Sequence, residues 1–225
     1  MTARLEARDL SVVLAGDAAD VRVLDGVSVA VDAGEIIDVV GPSGSGKSTL
    51  LRALARLLPG ATGSLILDGT PAETIPPAMW RARVALLTQK PALVPGTVSD
   101  NLLLPWRFAV RRDASPPAAS QLAEGLAGLG VDVALDRDVA RLSVGQAARV
   151  AFLRTLLTVP SVLLLDEPDA ALDDASSDAV AALIARFAEE GGAIVRVRHH
   201  RSDGLAGRRL HLEGGHLMAA EVLAP

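Results

Sequence analysis

The feature that most narrows what this chain can fold into is a short apolar run, Ile36-Ile37-Asp38-Val39-Val40, that leads directly into Gly41-Pro42-Ser43-Gly44-Ser45-Gly46-Lys47-Ser48-Thr49. Gly41, Gly46, Lys47 and Ser48 satisfy the spacing G-x-x-x-x-G-K-[ST] of a P-loop. Leu50, Leu51, Leu54, Leu57 and Leu58 then recur at helical spacing as far as Pro59-Gly60,. Strand, glycine loop and helix in that order imply a phosphate cradle. The glycines let backbone N–H groups of residues 41–49 curl around a phosphate, Lys47 reaches the β- and γ-phosphate oxygens, Ser48 ligates Mg²⁺, and the helix N-terminus favours the anion. Residues Pro42, Ser43, Gly44, Ser45 and Thr49 complete the nucleotide-binding set.

Further strands are expected at residues 64–67, 84–87, 162–165 and 193–197, the last two separated by a helical stretch from Asp174 to Glu190,. Strands alternating with helices mean a parallel sheet with crossover connections, so the fold class is α/β with a P-loop NTPase (RecA-like) core. Two apolar stretches, at residues 10–14 and 21–31, flank a small-residue loop and predict an N-terminal antiparallel pair. From Thr97 to Leu157 the apolar spacing is helical, interrupted by Asp113 to Pro117, which predicts an inserted helical subdomain at about 97–157 within one domain spanning 1–225,. Gly214-Gly215 predicts a terminal hairpin.

Composition bounds the function. A net charge of -5 argues against a nucleic-acid partner, which needs a broad basic face,. With no Cys there is neither a disulfide framework nor a thiolate metal site,. The N-terminus lacks a secretory pattern, and the longest apolar stretch, about residues 150–165, is broken by Arg154 and Pro160, so any membrane role goes through a partner. A cytoplasmic chain is the expectation.

A second motif is Val162-Leu163-Leu164-Leu165-Asp166-Glu167, a buried strand ending in two acids at the edge where α/β sheets hold ligands,. Asp166 would hold Mg²⁺ through water, and Glu167 would polarise an attacking water. P-loop and acidic strand together leave kinases, GTPases and many ATPases open.

Leu142-Ser143-Val144-Gly145-Gln146, about 20 residues before the acidic pair, opens a helix and resembles the LSGGQ signature of the ABC ATPase family. Gln89 then matches the Q-loop, Ala171-Leu172-Asp173 the D-loop and His199 the switch histidine, so the resemblance runs from Leu5 to about Leu217. It implies a Mg²⁺-dependent ATPase that closes as a homodimer on ATP and powers a separate membrane permease at the inner face of the cell membrane. Ser143, Gly145, Gln146 and Asp173 would act in trans, Gln89 would sense Mg²⁺ and water, and His199 would contact the γ-phosphate. The stretches Leu14-Ala15-Gly16-Asp17 and Gly96 to Trp106 resemble the FetA type, associated with iron export. Pro91 to Trp106 is the candidate permease-docking surface, although Leu102 to Leu104 and Trp106 would serve equally as subdomain core. The alternatives are a degenerate ATP-binding module, a non-transport ABC ATPase or a small-molecule kinase.

Several residues depart from the family pattern. Val13 stands where an aromatic residue usually stacks on adenine, and Val144 replaces the first signature glycine. Asp38 sits inside an apolar strand, where a buried carboxylate costs several kcal/mol unless paired or protonated. Its partner is not readable from sequence. Arg198, Asp169, Ala147 and Ala148 are further departures.

Overall fold

The computed structural model describes residues 3–16, 19–170, 172–198, 203–218 and 221–223. In chain order its strands are β1 (Leu5–Leu14), β2 (Val21–Val31), β3 (Ile36–Val40), β4 (Thr62–Leu67), β5 (Thr70–Pro71), β6 (Val84–Leu87), β7 (Val162–Asp166), β8 (Ala193–Val197), β9 (Arg208–Glu213), β10 (His216–Leu217) and β11 (Glu221–Val222). The helices are α1 (Lys47–Leu54), α2 (Pro77–Arg83), α3 (Val98–Leu102), α4 (Ala119–Gly128), α5 (Val144–Leu156) and α6 (Asp174–Glu189).

The α/β class expected from sequence is what forms. One sheet is antiparallel, in the order β2-β1-β4-β5; the other runs β10-β9-β3-β8-β7-β6, with parallel pairing from β9 through to β6. Alternation along the buried strands creates two cores. On β7, Val162 and Leu164 face a core shared with α1 and the antiparallel sheet, whereas Leu163 and Leu165 face a core shared with α3 to α6. Leu50, Leu51 and Leu54 of α1 are fully buried between the two sheets.

Local departures from the expected boundaries have physical causes. The first strand begins at Leu5 rather than Leu10, because Leu5 and Ala7 alternate inward between Glu6 and Arg8, and Asp9 (φ 52°) marks a register shift,. The helix after the P-loop stops at Leu54, short of the leucines at 57 and 58. Arg56 adopts φ 54°, and its guanidinium donates to the carbonyls of Ala72 and Ile75 at 2.6 and 2.7 Å. Beside it Trp80, fully buried, donates from Nε1 to Leu54 O at 2.9 Å. Gly214 and Gly215 turn β9 into β10 with φ 56° and 84°, the positive values a two-residue hairpin requires,.

Residues 97–157 carry α3, α4 and α5 with short 3₁₀ turns at Leu104–Arg107, Ala109–Arg111 and Val139–Arg141. Thr97 and Asp100 cap α3 reciprocally,. The fully buried Asn101 accepts from Val94 N and donates to the carbonyls of Val94 and Thr97, fixing the loop that enters this segment.

Candidate nucleotide-binding site

The strand order sets the carboxyl ends of β3, β8, β7 and β6 side by side. β3 delivers the P-loop to this edge. At Gly41 (φ 152°) an added Cβ would lie 2.1 Å from Leu212 O on β9, and at Gly46 (φ 101°) one would lie 3.0 Å from Val23 O on β2. Both glycines are therefore demanded by backbone approach as well as conformation. Lys47, only 6% exposed, donates from Nζ to Gly41 O and Pro42 O at 2.9 Å each. The hydroxyl of Ser45 is buried without a hydrogen-bond partner among the described residues. Gly46 caps α1 with no side chain, so the amides of Lys47, Ser48 and Thr49 open towards the loop,.

β7 ends at Asp166, which is 5% exposed and takes a hydrogen bond from Ser48. Burial raises its carboxyl above the ordinary value; the Ser48 bond opposes this, and the Glu167 charge adds to it. Oδ1 of Asp166 is buried with no hydrogen-bond partner among the described residues. A serine hydroxyl, a carboxylate with that orphaned oxygen and the nearby Gln89 amide form an oxygen-rich set that fits Mg²⁺. Gln89, just beyond β6, donates from Nε2 to Glu167 Oε2 at 2.8 Å. Glu167 adopts φ 51°, a left-handed conformation sparsely populated by non-glycine residues, and its amide bonds to Val197 O at 3.2 Å,.

The signature segment lies at the start of α5. Ser143 and Gln146 cap that helix reciprocally, and Val144, in its first turn, is 75% exposed. Arg149 links Gly145 O at 3.2 Å to Ser176 Oγ at 2.5 Å on α6. Asp173 caps α6 by accepting from Ser176 N at 2.8 Å, and the bonds from Ser176 hold its carboxyl below the ordinary value. Among the described residues no hydrogen bond or ion pair joins Ser143, Gly145 or Gln146 to residues 41–49. The chain thus gathers the P-loop, Asp166, Glu167 and Gln89 in one place and keeps the signature residues apart from the loop's bonding. His199, His200 and Ala171 lie outside the described residues. Val13 is 41% exposed and pairs with Arg22, one residue before the Val23 carbonyl that abuts Gly46.

Two expectations change. Leu102 is fully buried, Leu103 packs against the second core, and Trp106 is half-buried with Arg111 over its ring at 5.8 Å, so these side chains build the segment instead of forming an exposed patch. The exposed apolar surface sits at Phe108 (57% exposed), beside a groove of about 630 Å³ lined also by Leu57, Ala78, Leu86 and Pro105. Asp38 has its partner in Arg196 on β8, the residue directly across the ladder, with Nε donating to Oδ1 at 2.7 Å. Arg196 was missed by sequence reasoning; the available signal was a charge interrupting each of two apolar strands.

The family model for ABC transporters matches residues 24–170. The "Probable iron export ATP-binding protein FetA" of Escherichia coli (strain K12) is 36% identical over 191 residues, covering 84% of this chain and 82% of its own. The lipoprotein-releasing system ATP-binding protein LolD of Bordetella avium (strain 197N) is 35% identical over 225 residues, covering 97% of each chain. Among solved structures, a dimeric ATP-binding cassette in a post-hydrolysis state bound to ADP and Pi superposes with a TM-score of 0.85 at 24% identity, covering 98% of this chain and 99% of its own.

Proposed function

The chain belongs to the ABC transporter family, and on that premise we propose that it hydrolyses Mg-ATP as a homodimer and drives a separate membrane permease. What most supports this is the 2.8 Å bond from Gln89 to Glu167, beside the Ser48–Asp166 bond at the mouth of the P-loop. Lys47 exchanges the carbonyls of Gly41 and Pro42 for β- and γ-phosphate oxygens, and the amides at the start of α1 hold the same phosphates. Ser48, Gln89 and, through water, Asp166 would hold Mg²⁺, which when bound would neutralise phosphate charge. Glu167, steadied by Gln89, accepts a hydrogen bond from the attacking water and takes its proton. His199 adds a contact to the γ-phosphate. Ser143, Gly145 and Gln146 of the second copy cap the nucleotide across the seam, with Asp173 alongside.

No helix among the described residues is long and apolar enough to cross a membrane. A permease segment seated near Pro91 to Trp106, and in the neighbouring groove at Phe108, accounts for membrane association at the cytoplasmic face. The groove's size and its exposed phenylalanine favour an apolar segment as the occupant,. Export of iron is the finer assignment, supported by the 36% identity to FetA. A lipoprotein-release subunit is 35% identical, so the cargo is a property of the permease. Deleting the gene should change cellular iron content, and an unchanged iron content with an altered lipid or peptide profile would exclude iron.

Steady-state ATPase of the purified chain beside Glu167→Gln, with ATP-dependent dimerisation followed by light scattering, tests the core of the proposal. A wild type that turns over, beside an inactive variant that still dimerises, is the expected result. A wild type that neither hydrolyses nor dimerises with permease added would refute it. The exposed Val13 and Val144 would then favour a chain that holds ATP as a structural ligand.

A further inference from the structure

Three of the residues that set this sequence apart, Asp38, Asp169 and Arg198, belong to one continuous chain of ion pairs completed by Arg196 and Asp203. Arg196, its side chain 1% exposed, donates from Nε to Asp38 Oδ1 at 2.7 Å and forks onto Asp203 with Nη1–Oδ2 at 2.8 Å and Nη2–Oδ1 at 3.0 Å. Asp203 also pairs with Arg198, and Arg198 Nη2 donates to Asp169 Oδ2 at 2.6 Å. Burial alone would raise the Asp203 carboxyl, but the Arg196 bonds and charge hold it at about 2. Burial likewise opposes the Arg196 charge, and its two carboxylate partners outweigh it. Arg196 and Asp203 at the centre of the chain therefore each stabilise the other's charged form.

The chain of pairs spans the elements that carry the site. Asp38 lies on the strand feeding the P-loop, Arg196 and Arg198 lie at the end of β8, and Asp169 follows Glu167 by two residues. In the turn after β7, Gln89 holds the Glu167 side chain at 2.8 Å. The turn's backbone bonds run from Glu167 N to Val197 O, from Ala170 N to Glu167 O at 3.3 Å and from Leu172 N to Asp169 O at 3.1 Å. Glu167 itself holds a left-handed conformation that a loose turn would not enforce,. Stability alone is a weak reason for so many buried charges, because apolar replacements of buried pairs are often neutral or better. A planar guanidinium fork supplies direction instead.

We propose that the Arg198–Asp169 pair, anchored through Asp203 and Arg196 to Asp38, is a positioning device that fixes the turn bearing Glu167 against the P-loop strand. Arg198 and Asp169 are then positioning residues for ATP hydrolysis, acting through Glu167. This rests on the ATPase function proposed above.

The test is steady-state Mg-ATPase of the full chain with Asp169→Asn, Asp169→Glu, Arg198→Gln and the double variant Asp169→Asn/Arg198→Gln, together with amide hydrogen exchange of residues 167–173. Asp169→Asn and Arg198→Gln are expected to lower kcat about tenfold with KM for ATP changed less than twofold. The double variant should be no worse than the more impaired single one, Asp169→Glu should recover part of the loss, and exchange should quicken in the turn alone. A kcat within twofold of wild type, or a KM rising in step with the loss of kcat, overturns the proposal. If the wild type itself fails to hydrolyse ATP, the ATPase function fails on its own account and exchange decides the tether. Unchanged protection of residues 167–173 in Asp169→Asn overturns the tether, and a local rise supports it.

Discussion

Replacing Arg196 by valine removes a guanidinium that is 1% exposed and makes three hydrogen bonds to two carboxylates. Asp203 keeps its pairing with Arg198, but Asp38, 3% exposed, is left on a central strand with an uncompensated charge. Breaking a buried pair from one side costs about 3–5 kcal/mol. Against a typical stability of about 5–15 kcal/mol this is a large share of the total. The second substitution Asp38→Val removes the stranded charge and places two β-branched residues opposite each other in a parallel ladder, where they pack well,. The double variant should therefore recover at least about 2 kcal/mol relative to the sum of the single losses. Urea unfolding followed by tryptophan fluorescence suits the measurement, because Trp80 is fully buried in the core shared by α1 and the antiparallel sheet and becomes exposed on unfolding,. A single Arg196→Val variant within about 1 kcal/mol of wild type, or a double variant as unstable as the two losses added, would refute the reasoning.

Val13→Tyr should raise ATP affinity about tenfold if the position stacks on adenine, since base–aromatic stacking contributes roughly 1–3 kcal/mol; titration with a fluorescent nucleotide reads it, and an unchanged Kd places the base elsewhere. Asp203, held at about 2, contributes stability that is present above the ordinary carboxylate range and is lost as pH falls towards 2,. Wild type should lose on the order of 1 kcal/mol more than Asp203→Asn between pH 6 and pH 2, the shift being discounted for solvent screening, and equal acid losses would show that the pairing adds nothing. The raised Asp166 carboxyl works in the opposite sense but is common to both proteins. Phe108→Ser should weaken binding to the solubilised permease about tenfold, as removal of an exposed aromatic anchor that the partner would bury implies,; unaltered co-purification would move the docking surface away from the groove.

The phosphate cradle was legible in the sequence because its chemistry is local: Gly41 to Thr49 are contiguous, and their spacing alone dictates the loop. The same holds for the run from Val162 to Glu167, where uninterrupted leucines announce a strand buried on both faces. Asp38 was legible as an anomaly and nothing more, because the residue that neutralises it lies 158 positions away and meets it only through strand order. The first half of β1 was hidden by Glu6, Arg8 and Asp9, whose charges mask the inward alternation of Leu5 and Ala7. Exposure near the Q-loop could not be read from hydrophobicity: Leu102 and Phe108 are both apolar, and only helix packing decides that the first is interior and the second is not.

The P-loop strand has a consequence for how the protein is made. β3 is paired by β8 on one side and β9 on the other, and both neighbours lie far downstream in the chain, at residues 193–197 and 208–213. During translation an apolar segment with two open edges must wait while the residues between it and its partners emerge, which is the situation that invites edge-to-edge pairing between chains. Closing contacts this distant in sequence also slows folding. Asp38 at the middle of that waiting strand places a charge where a purely apolar segment would be most prone to associate.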